Sequence, residues 1–132
     1  MEILFIVGRI LFALLFIGSG LAHFKAVDAM TGYAQFKKVP APRVSVLVSG
    51  AVLIAGALSV ALGIYPVIGS LALAAFLLPT AVLMHNFWKE TDPQAKMNEQ
   101  IAFNKDVALA GAAFVLAFVF STVADLPFIL VG

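Results

Sequence analysis

Of the 132 residues, 63% are hydrophobic and only 11% are charged, with a formal net charge of +1, whereas a soluble domain carries about 25% charged residues. A soluble domain of this size has too little interior to hide so much apolar surface, so the bilayer is the expected solvent. The small net charge, with basic residues in no dense patch, argues against a nucleic-acid partner, and the absence of cysteine excludes disulfides, thiol relays, Cys-held metals and iron–sulfur clusters.

The first predicted span covers about residues 3–22, and twenty helical residues rise ~30 Å, the thickness of the hydrocarbon core. It is read as a retained span rather than a signal peptide. Glu2 is acidic, the basic Arg9 lies inside the apolar run, and no small-x-small cleavage site leads into a soluble domain. Arg9 is the anomaly here, because a cation costs roughly 2.5–3.5 kcal/mol at mid-bilayer on insertion scales. Snorkelling to the near surface, or an ion pair with Glu2, is the favoured reading, and a buried partner on another helix is the alternative.

Residues 23–43 form the first polar segment. Phe24, Val27, Met30, Ala34 and Phe36 recur at three- to four-residue spacing, with Lys25, Asp28, Gln35 and Lys37 between them. This pattern predicts an amphipathic interfacial helix over about 26–38, stopped by Pro40 and Pro42. A stretch of 45 residues then follows, Val44 to Trp88, without one Asp, Glu, Lys or Arg. The second span, about 44–62, is rich in small residues that allow backbones to approach closely, which places it at the bundle centre. Gly63-Ile64-Tyr65-Pro66 reads as a tight turn. The third span, about 67–87, contains Pro79, a predicted kink or hinge. It ends on His85, Asn86 and Trp88.

The second polar segment is 88–104. Thr91-x-x-Gln94 with Pro93 is a helix-start signal, so the last helix is expected to begin ahead of its apolar part. Its spanning portion is about 105–122, and Asp125 lies just past it. The expected fold is therefore an all-α membrane protein, a four-transmembrane-helix bundle with an interfacial helix after the first span, in a single domain over 1–132. Six of the eight Lys/Arg fall in the two polar segments, and a seventh, Lys105, directly follows the second. By the positive-inside rule both segments are cytoplasmic and both termini outside.

With four spans, His23, His85, Gln100, Asn104, Lys105 and Asp106 all fall at one end of the bundle, within reach of one another at the usual ~10 Å interhelix distance. His85, Asn86, Trp88, Gln100, Lys105, Asp106 and His23 form the candidate polar cluster, since polar groups at membrane depth are functional hypotheses by default. Arg9 and Asp125, at corresponding ends of the first and last helices, form a second candidate pair. Read singly, the same residues have blander roles: Trp88 beside Lys89 is an ordinary interfacial anchor, and Asp106 can pair with Lys105. A haem between His23 and His85 has no supporting motif, no metal site is predicted, and no phosphate loop, dinucleotide motif or nucleophile elbow is present.

Four stretches together carry a resemblance: GRILFALLFIGSGLAHF from Gly8, KVPAP from Lys38, FLLPTAVLMHNFW from Phe76, and Q-x-x-F-x-K-x-x-A-L-A-G from Gln100 to Gly111. In this order, over nearly the whole chain, they resemble the DoxX family of small four-span membrane proteins. The family commonly has an aspartate after the histidine and an asparagine after the lysine. Here Asn86 and Asp106 stand in those places, so the two polar types are exchanged between helices. The resemblance implies an inner-membrane location and an association with membrane redox systems. Members resemble the membrane subunit of a thiosulfate:quinone oxidoreductase or terminal oxidase, and others are membrane partners in oxidative-stress complexes. Three roles are weighed as expectations, the first favoured and the second its runner-up. The first is an accessory subunit that scaffolds a membrane-associated protein partner. The second is a quinone-binding oxidoreductase subunit with the headgroup among His85, Trp88, Lys105 and Asp106. The third is a small-solute or lipid transporter built as a homo-oligomer with Pro79 as hinge. No cofactor follows from the residues themselves, and quinone enters through the resemblance alone.

Overall fold

Four long apolar helices dominate the computed structural model, which describes residues 1–132. In chain order they are α1 (Glu2–Lys25), the short α2 (Val27–Phe36), α3 (Pro42–Leu62), α4 (Pro66–Met84) and α5 (Pro93–Thr122), with a single 3-10 turn at Phe87–Lys89. Helices α1, α3, α4 and α5 are each long and apolar enough to cross a bilayer. The protein is an all-α membrane bundle.

Proline sets three of the starts. Pro42, Pro66 and Pro93 each open a helix, where the missing N–H is not needed and φ is already helical. The start of α5 differs in detail from the expected Thr91 box. Asp92 is the cap, and its Oδ2 accepts from Ala95 N at 2.9 Å. The thirty residues of α5 rise ~45 Å, well beyond a ~30 Å hydrocarbon core. Its first turns, which carry Glu99, therefore project past the apolar layer.

Helix α3 packs against α1, α2 and α4, while α5 packs against α4. The core is built from Ala13 and Phe16 of α1, Leu53, Ala57 and Val60 of α3, Leu73 and Leu77 of α4, and Ala110 of α5. Most other large apolar side chains point outwards, as in a molecule solvated by lipid. Glycines at both seams, Gly20 and Gly50 between α1 and α3 and Gly56 and Gly69 between α3 and α4, let the helices approach closely. A Cβ on Gly50 would lie 2.8 Å from His23 Cβ, and one on Gly56 would lie 2.9 Å from Leu73. Gly50 thus makes the room in which His23 sits.

Helix α2 is shorter than the expected 26–38, and it turns off α1 at Ala26. Of its residues, Met30 and Ala34 line the cavity described below, whereas Phe36 is exposed. Helix α4 stops at Met84 rather than running to Phe87. Aromatic packing of the following turn draws the chain out of the helix. Phe87 and Trp88 both meet Phe103 of α5 edge-on, at 5.4 and 5.8 Å between ring centroids.

At the opposite end residues 123–132 fold back over the α3–α4 turn. Leu130 N and Val131 N both donate to Gly63 O at 2.9 Å, and Tyr65 N donates to Val131 O at 2.7 Å. The turn is tight because Gly63, at φ +68°, takes a left-handed conformation.

Candidate functional site

Leaving the helix at Met84 places His85 between two carboxylates of α5. Its Nδ1 is 2.9 Å from Glu99 Oε2, and its Nε2 is 3.6 Å from Asp106 Oδ2. Glu99 and Asp106 are seven residues apart, two helical turns on one face. A single imidazole spans them. Glu99 is also held from α2, where the Tyr33 hydroxyl donates to its Oε1 at 2.9 Å. Partial burial and the neighbouring Glu99 carboxylate push the Tyr33 phenol up from 10.0 to about 12. It therefore remains an O–H donor throughout the neutral range.

The contacts run inward. Tyr33 is exposed, Glu99 and His85 are partly buried, and Asp106 is 5% exposed. Behind His85 lies a cavity of about 590 Å³, lined by residues of all five helices. Its wall is mostly apolar or small: Met30, Ala34, Val46, Ala75, Phe76, Leu83 and Met84. Its polar groups are His23, Tyr33, His85, Lys105 and Asp106, together with Ser19, Ser45, Ser49 and Thr80. Pro79 lines the same space. As a proline inside α4 it supplies no N–H to the Ala75 carbonyl four residues back, and Ala75 also faces the cavity.

His23 stands on the α1 side of the cavity. Its Nδ1 is 2.7 Å from the Ser19 carbonyl. A carbonyl only accepts, so Nδ1 carries the proton, and in the neutral ring Nε2 is left as an acceptor. The Phe76 ring meets it edge-on at 6.1 Å. The cavity thus has an acceptor on α1 and an ionisable group on α5.

The remaining candidates separate. Lys105 and Asp106 reach the cavity with His23 and His85. Asn86 instead turns to the residue that follows α2, where its Oδ1 accepts from Lys37 Nζ at 2.7 Å, and Lys37 also pairs with Glu90 at 3.5 Å. The exchanged Asn86 and Asp106 are thus not hydrogen-bonded to each other, and the polar bridge to Asp106 at this end is made by His85. Gln100 and Asn104 are exposed. Trp88 is half exposed and packs edge-on against Phe87 and Phe103. No group of three or more His, Asp or Glu is arranged to hold a metal ion.

Arg9 neither snorkels nor pairs with Glu2, and it forms no ion pair with Asp125. It is 1% exposed and donates to four carbonyls: Nε to Val60 at 2.9 Å, Nη2 to Ala61 at 3.2 Å and Phe128 at 2.8 Å, and Nη1 to Pro127 at 2.7 Å. Val60 and Ala61 lie in the last turn of α3, whose carbonyls lack helical partners. A planar guanidinium with five fixed donors suits this task. The rings of Phe5 and Phe120 lie 5.4 Å from it. Arg9 therefore staples the 123–132 strap to the end of α3, and Asp125 stays exposed at the strap.

Sequence reasoning missed Glu99, Tyr33 and Lys37. The pointer to Glu99 lies in the burial pattern of α5. The buried positions of α5 are Asp106, Ala110, Ala113 and Ala117, and counting seven back from Asp106 along that face reaches Glu99 rather than Gln100. Nothing in the sequence paired Tyr33 or Lys37 with α4 or α5.

The family model described as DoxX matches residues 4–86. That stretch includes His23 and His85 and stops short of Glu99 and Asp106. The Inner membrane protein YphA of Escherichia coli (strain K12) is 27% identical over 115 residues, which cover 87% of this chain and 81% of that protein. No solved structure matches the chain. With more than half the chain inside the family match and four helices able to span a bilayer, this multi-pass membrane protein belongs to the DoxX family.

Proposed function

We propose that the protein is a quinone-binding membrane subunit of a redox-linked complex, taking its electrons from a protein partner docked on the side of the polar segments. The observation that carries this reading is the cavity of about 590 Å³ with an apolar wall and one ionisable corner. Its volume lies within the ~300–1,000 Å³ of small-molecule sites, which pair apolar linings with a few placed polar groups. The residues fit such a ligand by their chemistry. Phe76, Leu83 and Met84 offer apolar contact to a ring and tail. Lys105 offers a donor to a carbonyl oxygen, and His23 Nε2 an acceptor for a hydroxyl. A quinone supplies two-electron chemistry, taking up two electrons and two protons as it becomes the quinol. The chain's own part is to hold the headgroup against the apolar wall and to deliver protons at Asp106.

The positive-inside rule orients this reading. Both polar segments, 23–43 and 88–104, lie in the cytoplasm with α2 in the interface, and both termini lie outside. An inner-membrane location agrees with the name of the Escherichia coli relative. The partner then docks at the cytoplasmic face, where Glu99 and Tyr33 are also found.

The test is titration of purified protein in lipid nanodiscs with a short-chain quinone, followed by Trp88 fluorescence, the chain having one tryptophan. Saturable quenching is expected in the wild type, weakened at least tenfold by His85→Ala. Linear, non-saturating quenching in the wild type overturns the reading.

A further inference from the structure

The geometry at His85 serves more than an ion pair that ties α4 to α5. One carboxylate on one ring nitrogen would suffice for that. Here each nitrogen faces its own carboxylate, Glu99 at 2.9 Å on one edge and Asp106 at 3.6 Å on the other. The two acids differ in access. Glu99 lies among the partly exposed residues next to the exposed Tyr33, and Asp106 lies on the cavity wall at 5% exposure. An imidazole is able to take a proton at one nitrogen while releasing one from the other. The array therefore runs from the exposed Tyr33–Glu99 edge to the cavity wall at Asp106 through three groups that all exchange protons.

We infer that Glu99, His85 and Asp106 form a proton-uptake path from the cytoplasmic surface to the cavity, with Tyr33 as the residue that positions Glu99. It rests on the quinone reading for its purpose, and on the contacts alone for its existence. The step balances as follows. Glu99 carboxylate takes a proton from hydronium, leaving water. The Glu99 carboxyl gives it to His85 Nδ1 as the ring closes the 3.6 Å gap to Asp106 to hydrogen-bond distance and the Nε2–H proton passes to the Asp106 carboxylate. The Asp106 carboxyl then gives its proton to an oxygen of the molecule in the cavity. His85 is left with its proton on Nδ1, and the ring returns to the Nε2–H tautomer by proton exchange with water before the next passage. One cycle moves one proton and no electron.

The other charged and titratable groups around the ring leave the path clear. From α2, Tyr33 donates to the second oxygen of Glu99, and just past α2 Lys37 is engaged by Asn86 and Glu90. From α5, Lys105 lines the cavity next to Asp106, and from α1, His23 lines it as well, its Nδ1 held by Ser19. None of them stands between Glu99 and His85.

The test reads ring-proton exchange with water at His85, using 15N-ring-labelled histidine in protein held in nanodiscs, and needs no ligand. Glu99→Gln is close to isosteric and removes only the proton-accepting group. It is expected to slow exchange at His85 at least tenfold while leaving His23, the only other histidine, unchanged as a monitor of the fold. Glu99→Asp keeps the carboxylate and is expected to restore most of the rate. Should Glu99→Gln fail to fold, Tyr33→Phe decides, with an expected slowing of several-fold. An unchanged His85 rate in the folded variant overturns the path. A second readout separates this inference from the quinone reading. The probe is 2-hydroxy-1,4-naphthoquinone, whose neutral and ionised forms differ in colour. Failure of the probe to bind counts against the quinone reading alone, and the exchange result stands. If the probe binds and Asp106→Asn does not slow its protonation after a pH jump, the last step of the path is wrong.

Discussion

Replacing Arg9 with methionine removes the guanidinium and keeps most of the apolar stem. Four hydrogen bonds from a charged donor disappear. At roughly 1.5–3 kcal/mol each, the gross loss is about 6–12 kcal/mol. Against this stands the cost of keeping a cation out of water, several kcal/mol in a folded protein, which the mutant no longer carries. Water can replace part of the rest at the partly exposed Ala61, Pro127 and Phe128 carbonyls. The buried Val60 carbonyl is left dry, at about 1–3 kcal/mol. The net expectation is a loss of roughly 2–4 kcal/mol, concentrated where the 123–132 strap meets α3. Because the chain has no cysteine, Ile129→Cys reports the strap through its rate of thiol labelling in nanodiscs. In the Arg9→Met background that rate should rise by about 30-fold or more, at ~1.4 kcal/mol per tenfold, and the melting temperature in detergent should fall. Arg9→Lys should lie between, since an ammonium cannot fork to four carbonyls. Labelling within twofold of the parent, with unchanged melting, would refute the account of Arg9 as a staple.

Further outcomes follow from other parts of the structure. Gly63→Ala should destabilise by about 1–3 kcal/mol from backbone strain at φ +68°. A Cβ there would also lie 2.6 Å from the Phe128 carbonyl, so detergent melting well below that of a surface control such as Gly111→Ala checks the point. Tyr33 should ionise late. In a Tyr65→Phe background the phenolate absorbance should appear with a midpoint near 12, and Glu99→Gln should lower it. The neutral phenol is the form favoured by folding, so its contribution is complete below pH 10 and is lost as pH rises through about 12. A midpoint near 10 with Glu99 present would count against the Tyr33–Glu99 bond. Finally, reporter fusions at Gly132 should read outside and fusions within 94–98 should read cytoplasmic. The opposite pattern refutes the charge-based orientation.

Much of the site was within reach of sequence reasoning, but its phase was not. The blocks around His23, His85 and Lys105-Asp106 carry the resemblance and fall at one end of any four-span bundle. Choosing between Glu99 and Gln100 needs the rotation of α5 to within one residue, about 100°. The polar start of that helix has no apolar stripe to reveal it. Asn86 shows the same limit on α4. One residue from His85, it looked like part of one cluster, yet the helix ends at Met84 and sends the two side chains to different neighbours.

Composition and hydropathy alone determined the solvent and the number of spans, because a bilayer tolerates few charges. They did not determine what Arg9 does. Its partners are main-chain carbonyls that any sequence would supply, 51 to 119 positions away along the chain. Nor did they determine the cavity, which exists only where five helices fail to close on one another. The bridge of His85 between Glu99 and Asp106 belongs with these. It depends on where α4 stops and how α5 is turned, and both are settled by packing between helices rather than by the preference of either segment.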